Sequence, residues 1–455
     1  MVTVADSLPG LKRFLRSLAA GEAGRQMVLR LVVAFLFHTR RMSCLQTAGA
    51  IRTEPRHRAQ VGRMLQRPGF LRDVCGDVLR RQLLERHARQ RGRFLFLIDA
   101  TLCSQAGKKT ENTYSTGNRQ RRPQQGRRFG KQKHARKTCH NFTMGLLITP
   151  EGLRIPFSRP HYTKEYCQQN GLTHRTTAES AADLIRQLPL PEEADVLVLG
   201  DTAYDAAVVR EACAARGYDW IFPCNPERVL AGAKPRPKVR SLLKNWPSRS
   251  LTTVRFCPGQ GKYVHYRRLS PHRVGPKAKP RTFYVHQEKR AVHAVGEVQL
   301  VFSTTHLQLA RATPDDVKIL MTNNLRLSTK DIVELYSLRW QIELFFKELK
   351  STLGFHHYRF RRFACVEAWV EVALIAFLFL EGHRADQLHR CRAAPDQQRW
   401  WRSQRTHGLC QALAHASQLA ELQFLANRLQ TPGGITKLQR LLRNALPQEN
   451  RMPNS

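Results

Sequence analysis

Five apolar residues in succession, Phe94-Leu95-Phe96-Leu97-Ile98, run straight into Asp99. A strand with one wet face alternates apolar and polar side chains, whereas an unbroken apolar run marks a strand covered on both faces. This segment therefore predicts a central strand, ending at Asp99, in a sheet sandwiched by helices. The pattern returns at Ala194 to Leu199, which leads into Gly200-Asp201. A carboxylate at the end of a buried strand does nothing for packing. Either it caps the following turn or it works on something outside the sheet.

The neighbouring segments fit one sheet. Asn141 to Pro150 and Gly152 to Ser158 read as two strands about a turn at Pro150-Glu151-Gly152. Thr176-Thr177-Ala178-Glu179 is a capping-box pattern opening a helix that ends near Leu188. Asp205 to Arg216 reads as a helix stopped by Gly217, and Tyr218 to Pro223 as a further strand. Three strands, a helix, a strand, a helix and a strand make an α/β fold, a mixed sheet flanked by helices. Asn225 to about Ala312 breaks this rhythm with Pro, Gly, Arg and Lys, and with strand-like pieces at Tyr263–Leu269, Arg281–His286 and Glu297–Ser303. It predicts a β-rich insertion. Val317 to Thr322 then returns to a short buried strand.

Both ends read as helical. Gln26 to Phe37 is apolar enough to be core. Cys44–Ile51 and Arg56–Gln66, about a turn at Arg52-Thr53-Glu54-Pro55, suit a helix-turn-helix for DNA ends or an ordinary helical hairpin. Phe363 to Gly382 predicts an apolar helix packed on the sheet. Leu409–Leu429 and Ile435–Leu446 are amphipathic stretches split by Pro432-Gly433-Gly434, a small bundle or a self-association surface. The expected division is 1–92 helical, 93–224 first part of the core, 225–312 insertion, 313–384 second part of the core, and 385–455 helical.

Between the insertion and the apolar helix, Leu335, Leu338, Ile342, Phe345 and Leu349 recur at helical steps and predict an amphipathic helical region, capped by Ser328 and ended by Gly354, with room for a kink inside it. Tyr336, Arg339, Glu343 and Lys350 follow the same steps one residue further on, so they form a polar stripe beside the buried one. That stripe either faces solvent or holds a metal ion and a phosphate backbone.

Charge favours the second choice. Lys plus Arg number 75 against 35 Asp plus Glu, a formal net charge of +40. Such an imbalance repels itself unless a polyanion neutralises it, and nucleic acid is the default partner. An anionic membrane surface is the alternative, but the basic residues are spread over most of the chain rather than along one helix. Gly107 to Lys137 carries eleven Lys or Arg, among them Lys108, Lys109, Arg127 and Arg128, against a single Glu, and phosphate contact accounts for it best. The longest apolar run, Val372 to Leu380, is too short for a bilayer, and residues 1–10 lack a signal-peptide pattern. The eleven cysteines are odd in number and form no CxxC pair, as expected of reduced thiols in a cytoplasmic, nucleoid-associated protein without a zinc site.

Asp99, Asp201 and Glu343 make a set. Three carboxylates in a basic surrounding are costly unless a cation joins them, and hard oxygen ligands suit Mg²⁺ or Mn²⁺. Two such ions across a phosphodiester activate the attacking oxygen and stabilise the leaving one. No Ser-His-Asp or Cys-His set and no Gly-rich nucleotide loop competes, and His140, His161 and His174 read as structural or phosphate-contacting.

Tyr336, Arg339, Glu343 and Lys350, separated by two, three and six residues, resemble the YREK signature of DDE transposases of the cut-and-paste insertion-sequence class. Ile98-Asp99-Ala100-Thr101 and Gly200-Asp201-Thr202-Ala203-Tyr204 look like that family's first and second acidic motifs. The resemblance covers roughly Arg93 to Arg384. It implies an RNase H-like fold with the β-rich insertion between the second Asp and the Glu. By position it implies a metal-binding catalytic triad of Asp99, Asp201 and Glu343. It makes Tyr336, Arg339 and Lys350 phosphate contacts, and it leaves Trp340 either stacking on a displaced base or packing in the core. The partners it implies are terminal inverted repeats, target DNA and a second copy of the chain in the DNA complex, with no membrane. A nuclease of the same fold that cuts without joining, and a non-catalytic DNA-binding derivative, are the rivals.

Overall fold

The computed structural model of the chain describes residues 9–37, 57–88, 92–105, 110–116, 137–232, 234–245, 252–256, 281–305, 317–431 and 433–436. At its centre lies β1 (Phe94–Gln105), in which Leu95, Phe96, Leu97 and Ile98 are wholly buried, as an unbroken apolar run requires. On one side β1 pairs in parallel with β5 (Val196–Leu199), from Phe94 opposite Val196 to Leu97 opposite Leu199. On the other it pairs antiparallel with β3 (Lys137–Ile148), from Leu95 opposite Ile148 to Gln105 opposite Thr138. The strand therefore does not end at Asp99 as its apolar run implied. The parallel ladder stops at Leu97, but the long antiparallel partner carries β1 on to Gln105.

β3 also pairs with β2 (Tyr114–Thr116) and with β4 (Arg154–Pro160), and β5 pairs in parallel with β6 (Asp219–Pro223). The core order β4-β3-β1-β5-β6, an antiparallel meander followed by two parallel strands, is an RNase H-like arrangement. Between β4 and β5 stand α5 (Lys164–Asn170) and α6 (Thr177–Arg186), the latter opened by the capping box of Thr176 and Glu179. α7 (Ala207–Ala215) joins β5 to β6. On β4, Arg154 reaches Glu381 while Arg159, an odd number of residues along, reaches Gln187 just past α6. Helices thus cover opposite faces of the sheet.

The strands of the β-rich segment join the main sheet. β7 (Thr252–Phe256), β8 (Arg281–Val292) and β9 (Gly296–Thr304) pair antiparallel in turn, and β9 pairs with β10 (Lys318–Thr322), which lies against β6. The result is one ten-stranded sheet. The piece Tyr263–Leu269 lies outside the described residues.

The N-terminal region holds α1 (Pro9–Leu15), α2 (Glu22–Phe37), α3 (His57–Leu65) and a π-helical turn (Phe70–Gly76) that runs into α4 (Asp77–His87). The first helix of the expected helix-turn-helix, and Lys108, Lys109, Arg127 and Arg128, lie outside the described residues. The helical region expected around Glu343, with room for a kink, is two helices, α8 (Thr329–Ser337) and α9 (Trp340–Ser351). They are divided at Leu338-Arg339 by a turn whose amides bond three residues back, Arg339 to Tyr336 and Ile342 to Arg339.

α10 (Phe363–Arg390) is long and apolar enough to cross a membrane, contrary to the expectation from the shorter run Val372–Leu380. It is instead a core helix, 89% of its most apolar window being buried against α2, the π turn, α4 and β4. α11 (Pro395–Ser403) and α12 (Thr406–Gln430) follow, and most of Ile435–Leu446 lies outside the described residues. The nine cysteines among the described residues are free thiols.

Candidate active site

Because β1 and β5 run in parallel with Leu97 opposite Leu199, Asp99 and Asp201 each stand two residues past the last parallel pair. They are neighbours just past the carboxyl end of the parallel β1–β5 ladder, where ligands bind in open α/β sheets. Asp99 Oδ1 accepts the Ala100 amide at 2.7 Å, and Asp201 Oδ1 accepts the Ala203 amide at 2.9 Å at the head of a short 3₁₀ turn. Asp201 thus caps this turn through one oxygen, and its other oxygen has no hydrogen-bond partner among the described residues.

The break between α8 and α9 delivers the third member. Arg339 sits in the turn, where its side chain projects toward β1 rather than along a continuous helix face. Its Nη1 is 3.2 Å from Asp99 Oδ2 and its Nη2 is 2.6 Å from Glu343 Oε1. One guanidinium thus links two acids that lie 244 residues apart, 343 less 99. Tyr336 is buried, and its hydroxyl donates to Gly200 O at 3.4 Å, next to Asp201. Lys350 Nζ donates to Leu102 O at 3.0 Å, three residues beyond Asp99 on β1. Trp340 is 43% exposed, so the core-packing alternative for it does not hold.

The acids influence one another. The Asp99 carboxyl is raised above the usual range, first by burial and then, after the stabilising Ala100 amide, by Asp201, with Glu343 adding to it and Arg339 opposing. Burial pushes the Tyr336 phenol up to about 12, and Tyr204 is raised by burial with Asp99 and Asp201 behind it. The Tyr204 hydroxyl is buried without a hydrogen-bond partner beside these two acids. Asp205, by contrast, is buried in ion pairs with Arg210 and Arg228 and is a structural residue of the same loop.

Among the described residues no group of three His, Cys, Asp or Glu side chains stands close enough to hold one ion. In this state the acids gather without forming a finished ligand set, because the guanidinium of Arg339 lies between Asp99 and Glu343. The residues nevertheless fit a divalent cation. They are hard oxygen donors, one of them is desolvated and short of positive charge, and two already share a cationic group.

Sequence reasoning passed over Lys318. It is the first residue of β10, which runs antiparallel to β6 and so brings Lys318 to the rim that carries Asp99 and Asp201. Its Nζ lies 4.3 Å from the centre of the Tyr336 ring, and its pKa is lowered by burial and by Arg339. Only the strand order reveals this; in sequence it is one charge before a short apolar run. His140, expected to be structural or phosphate-contacting, is buried between Glu111 O and the Tyr358 hydroxyl, 2.9 Å from each.

An RNase H-like sheet with acids gathered at the rim of its central parallel strands defines a class of nucleic-acid-processing proteins. The family comparisons agree with that class. Residues 13–245 match the model of the DDE superfamily endonucleases, and residues 168–379 match the transposase DDE domain. The first match spans more than half of the chain, which therefore belongs to the DDE superfamily endonucleases. Asp99 falls in the first match, Glu343 in the second and Asp201 in both. Enzymes of this superfamily use divalent metal ions, and transposase domains act on DNA. No curated protein matches the chain.

Proposed function

We propose that the chain is a DNA transposase of the cut-and-paste class with a YREK signature, which cleaves a strand at each end of its element and joins the freed 3′-hydroxyl to target DNA. The observation that carries this reading is the bridge of Asp99 and Glu343 through Arg339, with Asp201 on the adjacent strand. Asp99, Asp201 and Glu343 would hold Mg²⁺ or Mn²⁺, which when bound activates the attacking oxygen and stabilises the leaving one. Tyr336, Arg339 and Lys350 grip phosphates beside the cleaved bond, and exposed Trp340 offers a face for an unstacked base. Arg339 exchanges the two carboxylates for a phosphate when DNA arrives, and this frees both acids together. Both steps are in-line substitutions at phosphorus, so one set of residues serves both. Terminal inverted repeats and target DNA are the substrates, and two copies of the chain act on paired ends.

Pre-cleaved element ends incubated with supercoiled plasmid and Mg²⁺ test the proposal, the inverted repeats flanking the reading frame supplying the ends. The wild type gives joined products. Asp99→Ala, Asp201→Ala and Glu343→Ala each lose cleavage of intact ends while still binding them. Cutting without joining would make the chain a nuclease only, and wild-type cutting by any one of the three variants would remove that residue from the site.

A further inference from the structure

A pocket of about 300 Å³ opens at the outer edge of β4, away from the three acids. The N-terminal helices contribute Arg72, Arg80 and Arg81, β4 contributes Arg159, and α10 contributes Glu371. Four arginines thus face two carboxylates, Asp77 and Glu371, and both of these bind Arg80, at 2.9 and 2.7 Å. Arg72 leans on its exposed neighbour Asp73. Arg81 and Arg159 have no ion-pair partner among the described residues. Arg159 is held by neutral groups, the Ser158 carbonyl and the Gln187 side chain. The other acid near it, Asp183, is already joined to Arg175 and Arg186.

Arg159 is therefore a half-buried cation without an ion-pair partner among the described residues, the nearby Asp77 being bound to Arg80. Burial lowers its pKa, and Arg72 and Arg80 lower it further. A desolvated guanidinium facing two more is unfavourable unless an anion enters, and planar guanidinium groups match phosphate oxygens in pairs. Arg159 lies opposite Thr143, and Thr143 opposite Ala100, the residue after Asp99. Two strand spacings, on the order of 10 Å, separate the two positions across the sheet.

We propose that this pocket binds a backbone phosphate of the DNA on which the rim acts, with Arg81 and Arg159 as its ligands and Arg72 beside them. The class of ligand, a phosphate anion, follows from the pocket alone; its source in DNA rests on the function proposed above. Occupancy ties the N-terminal helices to the sheet through one phosphate and gives the duplex an anchor independent of the metal-binding acids.

The experiment measures binding of the full chain to a fluorescent duplex of an element end by anisotropy, in EDTA, across a salt series. Arg81→Gln and Arg159→Gln should each flatten the log-log salt slope by about 0.9, and Arg159→Lys should keep the wild-type slope. Thermal midpoints in phosphate-free buffer establish that each variant is folded, and exposed Arg81 carries the test if Arg159→Gln is not. A second arm titrates inorganic phosphate and follows the thermal midpoint of the wild type and of Arg81→Gln. Unchanged DNA slopes in folded Gln variants overturn the proposal. If phosphate still stabilises the wild type but not Arg81→Gln, the pocket is a free-anion site. A wild type that binds no duplex at all overturns the function reading, and the DNA source falls with it. Normal binding that ignores Arg81 and Arg159 overturns the pocket alone.

Discussion

Two charged clusters meet on α9, one at the rim and one in the core, and they are built on opposite principles. In the core, Arg154 binds Glu348 at 3.2 Å and Glu381 at 2.7 Å, and Arg384 binds Glu381 at 2.6 Å. Thr406 and the Gly152 carbonyl fill further positions. Arg154 and Arg384 are ion-paired with the two glutamates, and Arg405 lies near Glu348 as well, so neither acid is left without a cation. At the rim, Arg339 is the cation ion-paired with Asp99 and Glu343, and the nearby Asp201 has no ion-pair partner among the described residues. Burial alone would raise Glu381, yet Arg154 and Arg384 hold it down at about 2, whereas Asp99 is raised. A buried network that balances is a clamp, and one left short of cations is a site waiting for them. The clamp also fixes the direction of α9, since Glu348 is little more than a turn from Glu343.

The largest effect should come from opening the clamp. Arg154→Ala leaves two buried glutamates facing each other and should cost about 3–5 kcal/mol in urea unfolding, because an uncompensated buried charge is worse than none. A loss under about 1 kcal/mol would mean that water or rearrangement replaces the arginine, and the contrast with the rim would lose its basis.

Next comes pH. Glu381 is depressed from 4.5 to about 2 in the fold, so its ionised form stabilises the native state above pH 4.5, and that contribution disappears as pH falls toward 2. The shift corresponds to about 3 kcal/mol at neutral pH. Asp99 and Glu371 are raised and work in the opposite sense, regaining stability on acidification. The difference in unfolding free energy between wild type and Glu381→Gln isolates the one group. It should narrow as pH drops from 4.5 toward 2, and a constant difference would contradict the ion-pair account.

What the sequence made legible was local. The run Phe94–Ile98 identified a central strand because burial on both faces leaves no polar alternation, and the capping box at Thr176 marked the start of α6 because its two hydrogen bonds lie within four residues. What it missed was set by partners far along the chain. β1 outruns Asp99 because β3 is long. A kink between Ser328 and Gly354 could be foreseen, but not its place at Leu338-Arg339, because one tightened turn shifts the phase of the stripe only slightly. Of the site, the acids could be read as strand-end and stripe residues. Arginine's place between them could not, since no spacing says which side chain fills the gap.

That gap yields the third prediction. Arg339→Gln removes the cation competing for Asp99 and Glu343, so Mn²⁺ at ten times its dissociation constant should stabilise the DNA-free variant by about 1.4 kcal/mol. The wild type at the same concentration should respond less, because the ion must first displace the guanidinium. Thermal shift with Mn²⁺ reads both. Equal responses would show that Arg339 does not stand in the ion's way.

The smallest effect separates the rim's own cations from each other. Lys318 has no ion pair among the described residues, and it rests on the Tyr336 ring, so its charge is available to a phosphate. Lys318→Ala should flatten the salt slope of DNA binding by about 0.9, and Lys350→Ala by a similar amount. The two should differ in what the aromatic does. Tyr336→Phe keeps the ring under Lys318 but loses the hydroxyl bond to Gly200 O, so the slope should hold while the loop carrying Asp201 loosens. If Lys318→Ala leaves the slope unchanged, the lysine serves only to cover the tyrosine. The rim would then meet DNA with Arg339 and Lys350 alone, and the contrast with the closed core would rest on one fewer open charge.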